Sequence, residues 1–241
     1  MQYMFTPMHE HIDFGFGMTG NAFKNAADKL DADRSERGAI LGEHLPIHYL
    51  RRHAVELFLK SAIVIIHRKL DLPYGEKPSS SEPFAQCEGE WKSFKSIHSV
   101  KRLWLYFCLL CKEHREYFHS IGNGAFDFEP EVDRWISIIE KYDPISTYFR
   151  YPNPKNQKSD SLKSAMSAVQ PDENGNFSMQ LTPKDQKKSF VLIEDNEHGE
   201  VSKACYFPGE PLSEFSVALE KSADLFYGLH AAMRALLCGG A

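Results

Sequence analysis

The stretch Pro46-Ile-His-Tyr-Leu-Arg-Arg-His-Ala-Val-Glu-Leu-Phe-Leu-Lys-Ser-Ala-Ile-Val-Ile-Ile-His-Arg-Lys-Leu70 decides the fold. Proline suits the first turn of a helix, and nothing that breaks a helix follows before Pro73, so the run reads as one long helix. Its body, Ala54 to Ile66, is apolar on nearly every face, yet Glu56 and Lys60 interrupt it too early for a membrane span. A helix of this kind must have neighbours on most sides. Four polar residues, His48, Arg52, Glu56 and Lys60, recur at intervals of four. Each such step drifts by only about 40° around the helix axis, so they form one slowly winding stripe.

Elements that cover this helix are legible on both sides of it. Before it, Phe23, Ala27 and Leu30 mark a first helix capped at Thr19 or Asn21, which the charged run Asp31 to Arg37 and Gly38 should end. Residues 1–19, rich in Met, His, Phe and Gly without a period, read as an extended N-terminal arm. After it, residues 72–96 carry three prolines and a run of serines and read as a loop. A helix is expected from His98 to about His119, buried through Val100, Leu103, Trp104, Phe107, Leu110, Cys111 and Phe118 and stopped by Gly122 and Gly124. Glu129, Pro130 and Glu131 open another that ends near Tyr142, with acids in the turn where the helix dipole favours them. Residues 151–211 turn to Pro, Asn, Lys, Ser and Gly with β-like runs at Phe177–Leu181, Ser189–Ile193 and Val201–Phe207, the pattern of a small antiparallel insertion. A closing helix over 212–238 has an apolar face from Leu212 to Leu236. The expected fold class is mainly α: an up-and-down helical bundle in a single domain with a small β insertion.

Composition narrows function by exclusion. The 241 residues carry 28 basic and 33 acidic side chains, a net charge of −5, so no global basic field holds nucleic acid and any RNA contact must be local. Five scattered cysteines fit a reducing cytoplasm better than a disulfide scaffold, and no export signal or membrane span is expected. No P-loop, dinucleotide-binding glycine motif or Gly-x-Ser-x-Gly elbow occurs, which lowers ATPase, dehydrogenase and hydrolase readings. Cys108 and Cys111 with His114 have the look of a metal half-site, but no second Cys-x-x-Cys completes it, and they read as core thiols. His44 and His48, even with His9 and His11, lack a His-Glu-x-x-His arrangement. Neither metal nor cofactor is expected.

The run Tyr49 to Lys60, then His98-Ser-Val-Lys-Arg-Leu-Trp104, then Asp143-Pro-Ile-Ser-Thr-Tyr-Phe-Arg-Tyr-Pro152, resembles a branch of the HEPN superfamily. The resemblance covers the helical half of the chain and rests on the Arg-Glu-Lys stripe, the helix-opening histidine and the Phe-Arg-Tyr-Pro turn. It implies a prokaryotic defence or toxin–antitoxin setting and a homodimer with a cleft between protomers. In catalytic members it implies metal-independent RNA cleavage by an arginine and a histidine four to six residues apart. This chain departs from that signature: no histidine follows Arg150 at that interval, and Arg115 and His119 enclose only three residues. Arg37 and His44 enclose six, outside a bundle helix.

Charges on a buried helix must be paired, because an unpaired buried ion costs several kcal/mol. Arg52, Glu56 and Lys60 can pair along the helix, with His98 and Arg150 as partners from other elements. Such a network fixes bundle register. The same groups also suit a phosphate-receiving cleft in which Arg52, Lys60 and Arg150 hold oxygens while His98 or His48 moves a proton. Tyr148, Phe149 and Tyr151 beside Arg150 either stack a base or anchor their own turn. The candidate catalytic residues are therefore His98, Arg52 and Arg150, and the candidate binding residues His48, Glu56, Lys60 and Tyr151. Three functions remain open: an RNA-engaging or partner-binding module, a metal-independent endoribonuclease with a dispersed Arg/His site, and a non-catalytic structural subunit.

Overall fold

The structure, a computed structural model, describes residues 6–37, 42–122, 124–151, 161–164, 166–174, 176–177, 191–198, 201–206 and 212–239. It is mainly helical with two small antiparallel sheets. In chain order the helices are α1 (Phe16–Arg37), α2 (His44–Lys69), α3 (Val100–Glu113), α4 (Arg115–Gly122), α5 (Pro130–Tyr142) and α6 (Ser213–Cys238). Strands β1 (Phe84–Cys87) and β2 (Glu90–Ser93) form a hairpin, and β3 (Ser167–Val169), β4 (Val191–Asp195) and β5 (Val201–Tyr206) form a sheet in the order β3-β5-β4.

The long apolar run is the centre of the molecule. Every residue from Ala54 to His67 is buried, and α2 packs against α1, α3 and α6. The apolar faces of α3, α5 and α6 close the same core around Phe58, Phe107, Phe215 and Phe226. Burial of large apolar side chains, each contributing roughly 1.5–3 kcal/mol, is what makes an all-round apolar helix stable here.

Several boundaries differ from the sequence expectation, each for a physical reason. Residues 11–19 are not an arm, since α1 already begins at Phe16. The Asp13 carboxylate accepts from Gly15 N at 3.0 Å and Gly17 N at 2.8 Å, a cap three residues before the helix that periodicity alone does not register. α1 continues through the charged run and ends with it at Arg37, as Asp31 binds Arg34 at 2.8 Å within the helix and Arg51 of α2 at 2.9 Å. Residues 72–96 contain the β1–β2 hairpin, turned at Glu88 (φ 55°) and Gly89 (φ 85°), with Ala85 and Cys87 directed into the core. The expected 98–119 helix is two helices joined at His114, which lets Phe118 of α4 pack on Phe126 with ring centroids 4.5 Å apart. In the insertion the expected strands at Ser189–Ile193 and Val201–Phe207 correspond to β4 and β5, and β3 was not anticipated. Residues 178–190 of the expected first and second runs lie outside the described residues.

Candidate functional site

The four-residue spacing on α2 brings Arg52, Glu56 and Lys60 into one buried ionic network. Arg52 Nη1 donates to Glu56 Oε2 at 3.1 Å, and Lys60 Nζ donates to Glu56 Oε1 at 2.7 Å. His98 Nδ1 lies 3.2 Å from the same Oε1. The remaining donors tie the network to other elements. Arg52 Nη2 donates to the His98 carbonyl and to the Asp143 carbonyl at 3.4 Å, while Lys60 Nζ donates to the Phe94 carbonyl at 2.8 Å. Burial on its own would raise the Glu56 carboxyl; Lys60 and Arg52 overcome it and hold the group below the ordinary carboxylate range. Arg52 has no exposed surface, so its guanidinium serves protein acceptors and not a bound phosphate. The network therefore binds α2 to the segment before α3 and to the end of α5.

His98 is the accessible member, with 43% of its side chain exposed. It precedes the α3 cap, where Ser99 Oγ accepts from Arg102 N at 3.1 Å and donates to Glu140 at 2.6 Å. These bonds fix the backbone that carries the imidazole. His48, by contrast, is not a proton carrier at a surface. It is buried among Phe149, Phe215 and His44, and burial, with His44 beside it, brings its pKa down to about 3.

Arg150 does not join the network: among the described residues no hydrogen bond or ion pair links it to Glu56. Its guanidinium lies over the Tyr49 ring of α2, 5.3 Å from the centroid. Tyr49 in turn stacks on His53 with the rings 5° from parallel. The turn that presents Arg150 is held by Asp143, which stands in the sequence analysis only as the start of the Asp143–Pro152 run and not as a site residue. Its buried carboxylate accepts from Thr147 N at 2.8 Å and Tyr148 N at 3.0 Å while its carbonyl meets Arg52. Phe149 anchors the turn against His48 and Phe215, as expected of one aromatic of the three. Tyr151 remains 64% exposed, and Lys163 lies over the Tyr148 ring at 4.3 Å while donating to the Tyr151 carbonyl at 3.0 Å. The turn thus carries two cation–aromatic contacts, Arg150 over Tyr49 and Lys163 over Tyr148, beside the exposed Tyr151, and the ionic network is tied to the same turn through Asp143.

The other sequence candidates fall elsewhere. His44 opens α2 with its Nε2 2.8 Å from the Lys163 carbonyl, and Arg37 ends α1; residues 38–41 between them lie outside the described residues. His11 Nε2 lies 2.9 Å from the Thr6 carbonyl, and His9 is exposed beside Glu10. Arg115 Nε donates to His119 at 3.3 Å, and both are at the surface. Burial pushes the Cys108 thiol up to about 12 and the Cys111 thiol higher, which keeps both neutral. Among the described residues no group of three or more His, Cys, Asp or Glu side chains is arranged to hold a metal. No helix among the described residues is long and apolar enough to cross a membrane.

Comparison with known proteins adds no relative: no protein family, curated protein or solved structure matches this chain.

Proposed function

We propose that this chain is a HEPN-like, RNA-engaging helical module of a prokaryotic defence or toxin–antitoxin system, homodimeric and cytoplasmic, whose contact face is the Tyr49/Arg150/Tyr151 surface. The observation that carries the reading is the guanidinium of Arg150 over Tyr49 beside a tyrosine with most of its surface in water. Stacked aromatics next to a cation suit unpaired bases and their phosphates, and such a face gives RNA a local foothold on a chain of net charge −5. The buried stripe acts beneath it as structure, holding the turn through Arg52 and Asp143.

Fluorescence anisotropy with a labelled single-stranded RNA tests this. Binding should weaken as salt rises, and Arg150→Ala with Tyr151→Ala should weaken it by about tenfold or more. Salt-insensitive binding, or equal binding by the variant, contradicts the reading and leaves the face to a protein partner.

A second reading, metal-independent endoribonuclease, is favoured by the half-exposed His98 imidazole held on the buried Glu56 carboxylate. A histidine oriented by a carboxylate is equipped for proton transfer. Cleavage of RNA in EDTA that disappears in His98→Ala supports it; an unchanged RNA population excludes it.

A further inference from the structure

Two buried polar atoms of the ionic network face each other without a hydrogen bond. Arg52 Nε has no partner among the described residues, and Asp143 Oδ2 lies 3.9 Å from it. That oxygen takes no hydrogen bond among the described residues either, since the Thr147 and Tyr148 amides both donate to Oδ1. Both side chains are buried. A displacement of the guanidinium by about 1 Å turns this gap into a charge-assisted hydrogen bond.

Asp143 governs the turn that presents Arg150. Ser146 within that turn has φ 59°, a left-handed conformation unfavourable for a residue with a Cβ, and its buried Oγ has no partner among the described residues. The turn therefore leans on the two amide bonds to the Asp143 carboxylate and on the packing of Phe149.

His98 is the accessible titratable group on the other side of Arg52. The charges around it are Arg52, Glu56 and Lys60 of α2, Asp143 and, through Ser99, Glu140 at the end of α5. On its own segment Lys95 is turned to Glu82 and Arg102 to Glu88, with Lys101 beside them. While His98 is neutral, two cations, Arg52 and Lys60, are balanced by two carboxylates, Glu56 and Asp143. A proton on His98 sets a third cation against Glu56, and the carboxylate with an uncommitted oxygen is Asp143. Moving Arg52 toward it relieves the crowding.

We infer that proton uptake by His98 shifts Arg52 onto Asp143 Oδ2 and fixes the turn, so that RNA binding at Arg150 and Tyr151 tightens on acidification. The inference rests on the RNA reading of this turn. Histidine changes charge between pH 5 and 8, and ordering a contact surface in advance raises its affinity. His53, stacked on Tyr49 and within range of the Arg150 charge, is the competing source of pH dependence.

The test is the anisotropy of a rhodamine-labelled oligouridylate without a terminal phosphate, titrated with the full-length chain from pH 5.5 to pH 8 at constant salt. The wild type should bind about fivefold more tightly at pH 5.5 than at pH 8. His98→Gln keeps a donor for Glu56 and should bind with no pH dependence. Asp143→Asn keeps an acceptor for the Thr147 and Tyr148 amides but offers Arg52 no second oxygen. Circular dichroism reports that this variant is folded, and it too should bind without the pH profile, whereas a merely structural Asp143 would lower affinity equally at every pH. A flat profile in the wild type, or a profile that persists in His98→Gln or in folded Asp143→Asn, overturns the inference and leaves the RNA reading standing. No binding at any pH overturns both.

Discussion

Replacing Glu56 by alanine removes the one carboxylate that two buried cations share. Arg52 is fully enclosed and Lys60 is 5% exposed, so neither can recover its lost partner from water. Breaking a buried pair in this way costs about 3–5 kcal/mol, because the charges left behind stay desolvated. For a chain of this length that corresponds to a drop of roughly 10 °C in melting temperature. Urea unfolding followed by circular dichroism measures it, with the slope of the transition compared to show that both variants unfold to similar states. Glu82, whose ion pair with Lys95 at 3.1 Å sits in water, is the control, and its removal should leave the midpoint where it was. Replacing Arg52, Glu56 and Lys60 together by Met, Leu and Met should recover part of the loss, since no charge is then stranded. It should not recover all of it, because the carbonyls of Phe94, His98 and Asp143 lose their donors, at about 1–3 kcal/mol for each one left unsatisfied. A Glu56→Ala variant that loses less than about 1 kcal/mol refutes the view that this network is dry and holds the helices in register.

Other consequences follow from buried groups elsewhere. Burial would raise the Asp13 carboxyl, but His230, Ser61 and Gly17 bring it down to about 2. A depressed folded pKa means that the stabilisation is present above the unfolded value and is lost as pH falls toward 2; in acid-unfolding curves, Asp13→Asn should remove about 2 kcal/mol of it. His48 is also depressed, to about 3, but as a base that must stay neutral: its contribution is intact above 6.5 and declines on acidification. His48→Phe should therefore reduce the loss of stability between pH 7.5 and pH 5 by about 2 kcal/mol, and an unchanged pH profile counts against burial of the neutral ring. Gly17→Ala puts a Cβ 2.0 Å from His230 Nε2, so calorimetry should show destabilisation of about 1–3 kcal/mol from overpacking.

The sequence carried the central helix, its polar stripe and the closing helix because their signals are periodic and extend over many residues. Val55, Phe58, Leu59 and Ile63 needed covering on all sides, and α1, α3 and α6 cover them. Signals set by single contacts were not readable. The break at His114 has no glycine or proline to mark it and follows from where Phe118 finds Phe126. The hairpin rests on Glu88-Gly89, a weak turn signal within a proline-rich stretch. In the candidate site, pairing of Arg52, Glu56 and Lys60 follows from spacing and burial, and His98 reaches them as anticipated. The placement of Arg150 over Tyr49 does not follow from spacing, because it depends on how Asp143 folds the turn after α5. A buried aspartate just after a helix, followed by residues whose amides need acceptors, was the available sign of that turn.

Photocrosslinking of the intact chain to single-stranded RNA containing 4-thiouridine, read by mass spectrometry of the adducts, tests the proposed contact face most directly. The account predicts adducts on Tyr49, Tyr148 or Tyr151, and their loss in Arg150→Ala. Adducts confined to residues far from the 146–151 turn, or undiminished in that variant, contradict it.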